Sequence, residues 1–381
     1  MGTHSANLDD IVRTSVDAML RRQLPAGSFP ASPDFSQYGY CWLRDGAFVA
    51  YALDQAGEHQ AAARFHDWCT AAVSGVGDVI DNALAWKAAG KPLDPELMPP
   101  ARFALDGEAV VDDWPNFQVD GYGTWLWALG QHLRAQSRDE LPERWRPAVE
   151  QTARYLDAFA FEPCFDVWEE SGDSAVHTST LACVAAGLDA AAWLLDDSSS
   201  SERAAEVREH LGRAGLEHRW FPKSTARGDV DSSTLWLSAP LGIFPAHDES
   251  MEATVSEIER TLTFKGGLRR FFDDNYFGGG AWPVLTCSLG LHYVRTGRLE
   301  DARRCLAWTL DRVSADGRLG EQYFGELRDP KSHAEWVERW GPPASELVWS
   351  HAMLALLALE LSDAGGASEP ARPGASGTDV H

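Results

Sequence analysis

Residues 281–313 read AWPVLTCSLGLHYVRTGRLEDARRCLAWTLDRV, and this stretch decides the fold. Apolar residues recur at helical spacing on both sides of Thr296-Gly297-Arg298; in the second half Leu299, Ala302, Leu306 and Leu310 alternate with Glu300, Asp301, Arg303 and Arg304. That period is the signature of an amphipathic helix. A three-residue join containing glycine is a tight turn. The stretch is therefore two antiparallel helices, 281–296 and 299–313. Ala56-Gly57-Glu58 joins 45–57 to 59–90 in the same way. Extended along the chain, the pattern gives further helices at 8–24, 121–136, 145–160, 178–196, 200–214, 232–240, 250–264 and 345–362, twelve in all, with almost no strand-like alternation. The other joins are long: 25–44, 91–120, 161–177, 265–280 and 314–344. Loops of that length are uncommon unless they carry function. Twelve helices with alternating short and long joins predict an all-α closed double ring, six inner and six outer, with the long loops gathered at one end around a pocket. A helical solenoid is the alternative, but no fixed-period motif accompanies it.

Composition narrows the partners. A net charge of −24 disfavours nucleic acid and anionic membranes, which both need clustered Lys and Arg. It suits an uncharged substrate, though solubility alone accounts for it equally well. No run approaches the length of a membrane span. Residues 1–10 are polar, with no basic segment ahead of an apolar one, so the expected location is the cytoplasm. The six cysteines show no CxxC pair and no metal-ligand spacing with histidine, and neither a metal nor an organic cofactor is expected. The sixteen tryptophans concentrate in Gly- and Pro-bearing stretches; their flat faces suit sugar rings, and core packing accounts for about half of them. The domain is expected to span 1–362, with 363–381, rich in Gly, Ala, Pro and Ser, forming a disordered tail.

Phosphate-binding, HExxH and GxSxG signatures are absent. What remains is acidic and aromatic. Asp166-Val167-Trp168-Glu169-Glu170 puts a carboxyl beside an indole, and desolvation by Trp168 would raise the pKa of Glu169 toward what a general acid needs. Gly320-Glu321-Gln322 supplies a second carboxyl on another long loop. Two carboxyls facing one pocket is the glycosidase arrangement. Alone, a Glu-Glu pair is more often a solvated helix start. In Tyr38-Gly39-Tyr40-Cys41-Trp42-Leu43-Arg44-Asp45 the adjacent Arg and Asp could grip sugar hydroxyls, or Asp45 could simply cap a helix.

In this order the segments resemble glycoside hydrolase family 15, the glucoamylase-type enzymes, over residues 8–362. By that resemblance the fold is an (α/α)6 barrel. Arg44 and Asp45 would hold the terminal glucose, with Trp42 in the same aromatic segment, and Tyr38 would sit near the attacking water. Trp114, followed by Gln118-Val119-Asp120-Gly121, would cover the pocket. Trp168, Glu169 and Glu170 match a D-x-W-E-E motif in which Glu169 protonates the glycosidic oxygen and Glu170 contacts the leaving-group side. Arg270 would touch substrate, and Glu321-Gln322 matches the E-Q motif of the general base. Residues 324–343, with Trp336 and Trp340, depart from the family pattern and are expected near the leaving-group site.

The resemblance implies hydrolysis with inversion and release of β-glucose from the non-reducing end of short α-glucosides. No accessory β-sandwich or starch-binding module is read in these residues. That favours α-1,6 links of the isomaltose type over α-1,4 maltooligosaccharides, with trehalose a third option. Two other classes stay open: a sugar isomerase or epimerase, which would need a pocket-facing histidine pair such as His177 and His351, and a non-catalytic sugar-binding protein.

Overall fold

The computed structural model describes residues 7–110, 112–169 and 174–366. Thirteen α-helices follow in chain order: α1 (Leu8–Arg22), α2 (Leu43–Gln55), α3 (His59–Gly75), α4 (Gly77–Ala88), α5 (Asp120–Ala135), α6 (Arg146–Phe159), α7 (Thr178–Leu195), α8 (Ser198–His218), α9 (Glu249–Thr261), α10 (Pro283–Arg295), α11 (Leu299–Leu310), α12 (Pro330–Trp340) and α13 (Val348–Gly366). A six-residue 3-10 helix, Ser232–Leu237, lies between α8 and α9.

These elements form the double ring. α2, α5, α7, the 3-10 helix, α10 and α13 pack each on the next, and α13 returns to α2. Outside them α1 packs on α13, α3 on α2, α6 on α7, α8 on α7, α9 on the 3-10 helix and α11 on α10. The fold is the (α/α)6 barrel. Sequence decides which ring an element joins. An outer helix such as α6 buries one stripe, Ala148, Val149, Thr152, Ala153, Tyr155, Leu156 and Phe159. α7 is apolar nearly all round and buries fourteen of its eighteen residues, as a helix enclosed on every side must. Among the described residues α7 alone has the length and apolarity to cross a membrane, and it is spent on the core. Its approach to α5 is close: a Cβ on Gly123 would lie 2.4 Å from the Cys183 carbonyl oxygen, so only glycine fits.

Four helix bounds need revision. The helix read over 59–90 breaks at Val76, whose φ of −106° and ψ of 16° end α3 and start α4. In the segment 232–240 only Ser232–Leu237 is helical, as a 3-10 helix capped by Asp231, because Ser and Thr side chains compete for backbone hydrogen bonds where a longer helix would have to propagate. The long join 314–344 contains α12, whose start was written in Asp329-Pro330: Asp329 accepts from the Lys331 and Ser332 amides, and proline occupies the first turn. The last helix runs to Gly366, four residues into the expected tail; residues 367–381 lie outside the described residues.

Candidate active site

The inner elements point their N-terminal ends the same way. Arg44 and Asp45 open α2, Trp168 and Glu169 precede α7, Trp282 precedes α10, and Leu347 and Trp349 flank the start of α13. All of these, with Tyr38, Arg270, Tyr276 and Glu321, line one pocket of about 490 Å³. Helix N-termini carry partial positive charge, which favours carboxylates there.

Glu169 stands on a loop whose base is closed by Cys164 and Ala175, which exchange backbone hydrogen bonds of 3.0 and 3.1 Å. Its own φ is 63°, the left-handed region that a non-glycine residue enters at a cost on the order of 1 kcal/mol. The conformation persists because the side chain is held: the Trp42 indole N–H donates to Oε1 at 2.5 Å and the Gln118 amide donates to the same oxygen at 2.9 Å. Arg44 stands behind them, its guanidinium paired with Asp45 at 3.2 Å and Asp120 at 3.0 Å. Burial pushes Glu169 above the usual glutamate range, while Arg44, Gln118 and Trp42 oppose it. The Trp168 indole N–H donates to Asp231, at 2.9 Å from one oxygen and 3.1 Å from the other.

Glu321 is 2 % exposed. The Tyr38 hydroxyl donates to its Oε1 at 2.9 Å, and the Tyr38 and Tyr276 hydroxyls lie 2.7 Å apart. Oε2 accepts no hydrogen bond from the described residues. Burial pushes Glu321 up to about 8, opposed by the Tyr38 hydroxyl and by Arg270. Arg270 is fixed by Asp274 through bonds of 2.9 and 2.6 Å. The base of this loop is equally tight: Tyr323 N–H donates to the Ala281 carbonyl at 2.8 Å, and a Cβ on Gly280 would come within 2.4 Å of the Tyr323 oxygen.

Of the residues singled out in the sequence, Tyr38, Trp42, Arg44, Asp45, Trp168, Glu169, Arg270 and Glu321 share the pocket wall. Trp114 and Gln322 stand behind it. Trp114 packs on Trp42 and on the Arg102 guanidinium, 3.8 Å from its ring centre. Gln322 donates to the Tyr276 carbonyl at 3.0 Å. Glu170 lies outside the described residues. Trp336 and Trp340 are not in the wall either: Trp336 packs edge-on against Tyr276 and also meets Phe277, while Trp340 is exposed. Sequence reasoning gave no role to Tyr276, Trp282, Trp349 or Gln118. Gln118 sits inside a motif already quoted, so its proximity was readable, but its hydrogen-bond partners were not.

Among the described residues no histidine lines the pocket. His177 is bonded to the Cys164 carbonyl at 3.0 Å, and His351 borders a separate cavity against α1. A metal could in principle meet Asp54, His66 and His132. Asp54 already accepts from His132 Nδ1 at 2.9 Å and from His59, and Gln136 occupies His132 Nε2 at 2.7 Å. The group sits at the C-terminal end of α2, nine residues from Asp45 and so about 13 Å from the pocket at 1.5 Å per residue.

The family model for glycosyl hydrolases family 15 matches residues 7–328. Isomaltose glucohydrolase from Kribbella flavida is 37% identical over 366 residues, spanning 93% of this chain and 94% of that protein. A glycosidase solved as a single-residue variant in complex with glucose superposes with a TM-score of 0.89 at 36% identity, covering 95% of this chain and 99% of the other. The glucoamylase of Saccharomycopsis fibuligera, at 14% identity and a TM-score of 0.72, shares the fold over 96% of this chain and 99% of its own.

Proposed function

As this chain belongs to glycosyl hydrolase family 15 and is a glycoside hydrolase of glucosidase type, we propose that it removes single glucose units from the non-reducing end of short α-glucosides with inversion, Glu169 acting as general acid and Glu321 as general base. The observation that carries this reading is the placement of two carboxyls in one pocket with unlike surroundings. Trp42 and Gln118 both donate to Oε1, and in this reading Oε2 holds the proton for the leaving group. Glu321 receives Tyr38 on Oε1, and Oε2 is the oxygen to which a water would give its proton. In one step the bond from the anomeric carbon to the leaving oxygen breaks, the water oxygen bonds that carbon from the other face, Glu169 loses its proton and Glu321 gains one. Inversion requires the two carboxyls to stand roughly 6.5–9.5 Å apart, leaving room for the water. Arg44 and Asp45 are positioned to bind hydroxyls of the terminal glucose over the Trp349 floor, and Arg270 the face near Glu321.

Isomaltose-type α-1,6 links are the preferred substrate in this reading. The likeness to the Kribbella flavida isomaltose glucohydrolase supports that preference; Trp336, turned away from the pocket wall, does not. A cytoplasmic location is part of the proposal and is consistent with six buried free cysteines. The test is a panel of kcat/KM values on isomaltose, maltose, trehalose, maltoheptaose and soluble starch, with proton NMR of the first anomer released. We expect β-glucose, efficiency highest on di- and trisaccharides, and isomaltose at least equal to maltose. Initial α-glucose rejects inversion. Efficiency that climbs toward starch rejects the short substrate, and maltose ahead by more than about tenfold, or 1.4 kcal/mol, rejects the α-1,6 preference.

A further inference from the structure

Lys223 lies in the turn after α8 and is 3% exposed. A lysine that deep is rare unless paired. Its ammonium lies 3.0 Å from Asp166 Oδ2 and 3.7 Å from Asp231 Oδ2, and 3.7 Å from the centre of the Phe271 ring. Both carboxylates are buried as well, each 1% exposed. Each of them also holds the segment that ends at Glu169. Asp166 accepts the Trp168 backbone N–H on Oδ1 at 3.1 Å, and its carbonyl accepts the Glu169 N–H at 3.0 Å. Asp231 accepts the Trp168 indole N–H and caps the 3-10 helix through the Ser233 N–H at 2.8 Å. The lysine backbone is fixed in turn: its carbonyl accepts the Thr178 N–H at 3.1 Å, at the first turn of α7.

The segment Asp166–Glu169 therefore hangs from two carboxylates that would repel each other across the Trp168 indole without a cation between them. The residue at its end has a left-handed backbone that a looser loop would not keep. We propose that Lys223 is a positioning residue for the acid: it touches neither substrate nor the reacting atoms, and by clamping Asp166 to Asp231 it holds the Glu169 carboxyl where a glycosidic oxygen can take its proton. The inference rests on the reading of Glu169 as general acid.

The test exploits leaving groups. Release of fluoride from α-glucosyl fluoride needs little protonation, whereas release of a sugar alcohol from isomaltose needs the acid. Wild-type rates on both substrates come first, and a wild type that cleaves neither brings down the functional reading and this inference with it. In Lys223→Met we expect kcat on isomaltose to fall by roughly 10²-fold, the scale of a general acid's contribution, with a fall of less than about tenfold on α-glucosyl fluoride. A purely structural role lowers both rates together by removing folded protein. Equal falls on the two substrates, or no fall on either, overturn the proposal while leaving the function intact. Should the Met variant not fold, the pair Lys223→Met/Asp231→Asn, which leaves the summed charge of the group unchanged, carries the same comparison with the same two outcomes.

Discussion

The two carboxyl groups of the pocket are held by different chemistry. Glu169 takes its hydrogen bonds from an indole and an amide, neither of which can accept a proton from it or pass one on. Its backbone is forced, its side chain is half-buried, and its nearest cation is Arg44. Glu321 takes its hydrogen bond from Tyr38, which is itself paired with Tyr276; both hydroxyls donate and accept. It is almost wholly enclosed, and its cation is Arg270. The acid arm is a rigid clamp on one oxygen. The base arm is a chain of two tyrosine hydroxyls that ends on the carboxyl. A group that must give up a proton along one direction is served by the first; a group that must receive one from a mobile water is served by the second.

The sharpest way to break this contrast is to remove each carboxyl's charge. Glu169→Gln and Glu321→Gln should each lower isomaltose turnover by roughly 10²–10⁴-fold. Only the Glu169 variant should recover most of its rate on α-glucosyl fluoride. Equal behaviour of the two variants on the fluoride would erase the distinction between acid and base. Folding, read by circular dichroism, should survive in both.

Next in size is the pH profile of kcat/KM. The base must be ionised, so activity is lost as pH falls through the pKa of Glu321, which burial raises to about 8 in the free site. Tyr38 opposes that rise, so Tyr38→Phe should raise the Glu321 pKa further and lower the fraction of enzyme with an ionised base at neutral pH. The acid must be protonated, and Gln118 holds the Glu169 pKa down, so Gln118→Leu should raise it and enlarge the protonated fraction. A pH profile that neither variant moves would remove these two carboxyls from the titration that limits turnover.

How much of this could be read in the chain follows from the same contrast. Periodicity exposes amphipathic helices, and the paired pattern at 281–313 was enough to imply the double ring. It blurs wherever a helix changes direction without losing its stripe, as at Val76, or where a capped start hides inside a long loop, as at Asp329-Pro330. The two glutamates were legible because each sits beside an aromatic or an amide in a short motif. Lys223 and Asp231 were not, because they reach Asp166 and Trp168 only through tertiary packing and carry no local pattern. Trp336 shows the same limit: the sequence marks an aromatic in an atypical loop, and only the packing shows that it joins a small satellite core with Phe35, Tyr38, Tyr276 and Phe277.

That position gives the smallest of the expected effects. Trp336 buttresses the tyrosines of the base arm from behind, so Trp336→Ala should lower kcat on the order of tenfold by loosening their geometry. It should leave the ratio of isomaltose to maltose efficiency nearly unchanged. A large change in that ratio would put the residue back at the leaving-group site.

The ring closes where α13 meets α2, two elements that lie far apart along the chain. Contacts so distant in sequence carry a high loop-closure cost and belong to the slow end of folding. Leu347 and Trp349 come from one side of that seam, Arg44 and Asp45 from the other, and the Glu321 loop is anchored to the chain just before α13: the Glu321 N–H donates to the Ala344 carbonyl and the Leu347 N–H to the Leu319 carbonyl. A chain that ends before α13 lacks Leu347, Trp349 and the backbone partners of the Glu321 loop, so its sugar site is incomplete. Hydrolytic competence is thereby tied to closure of the ring.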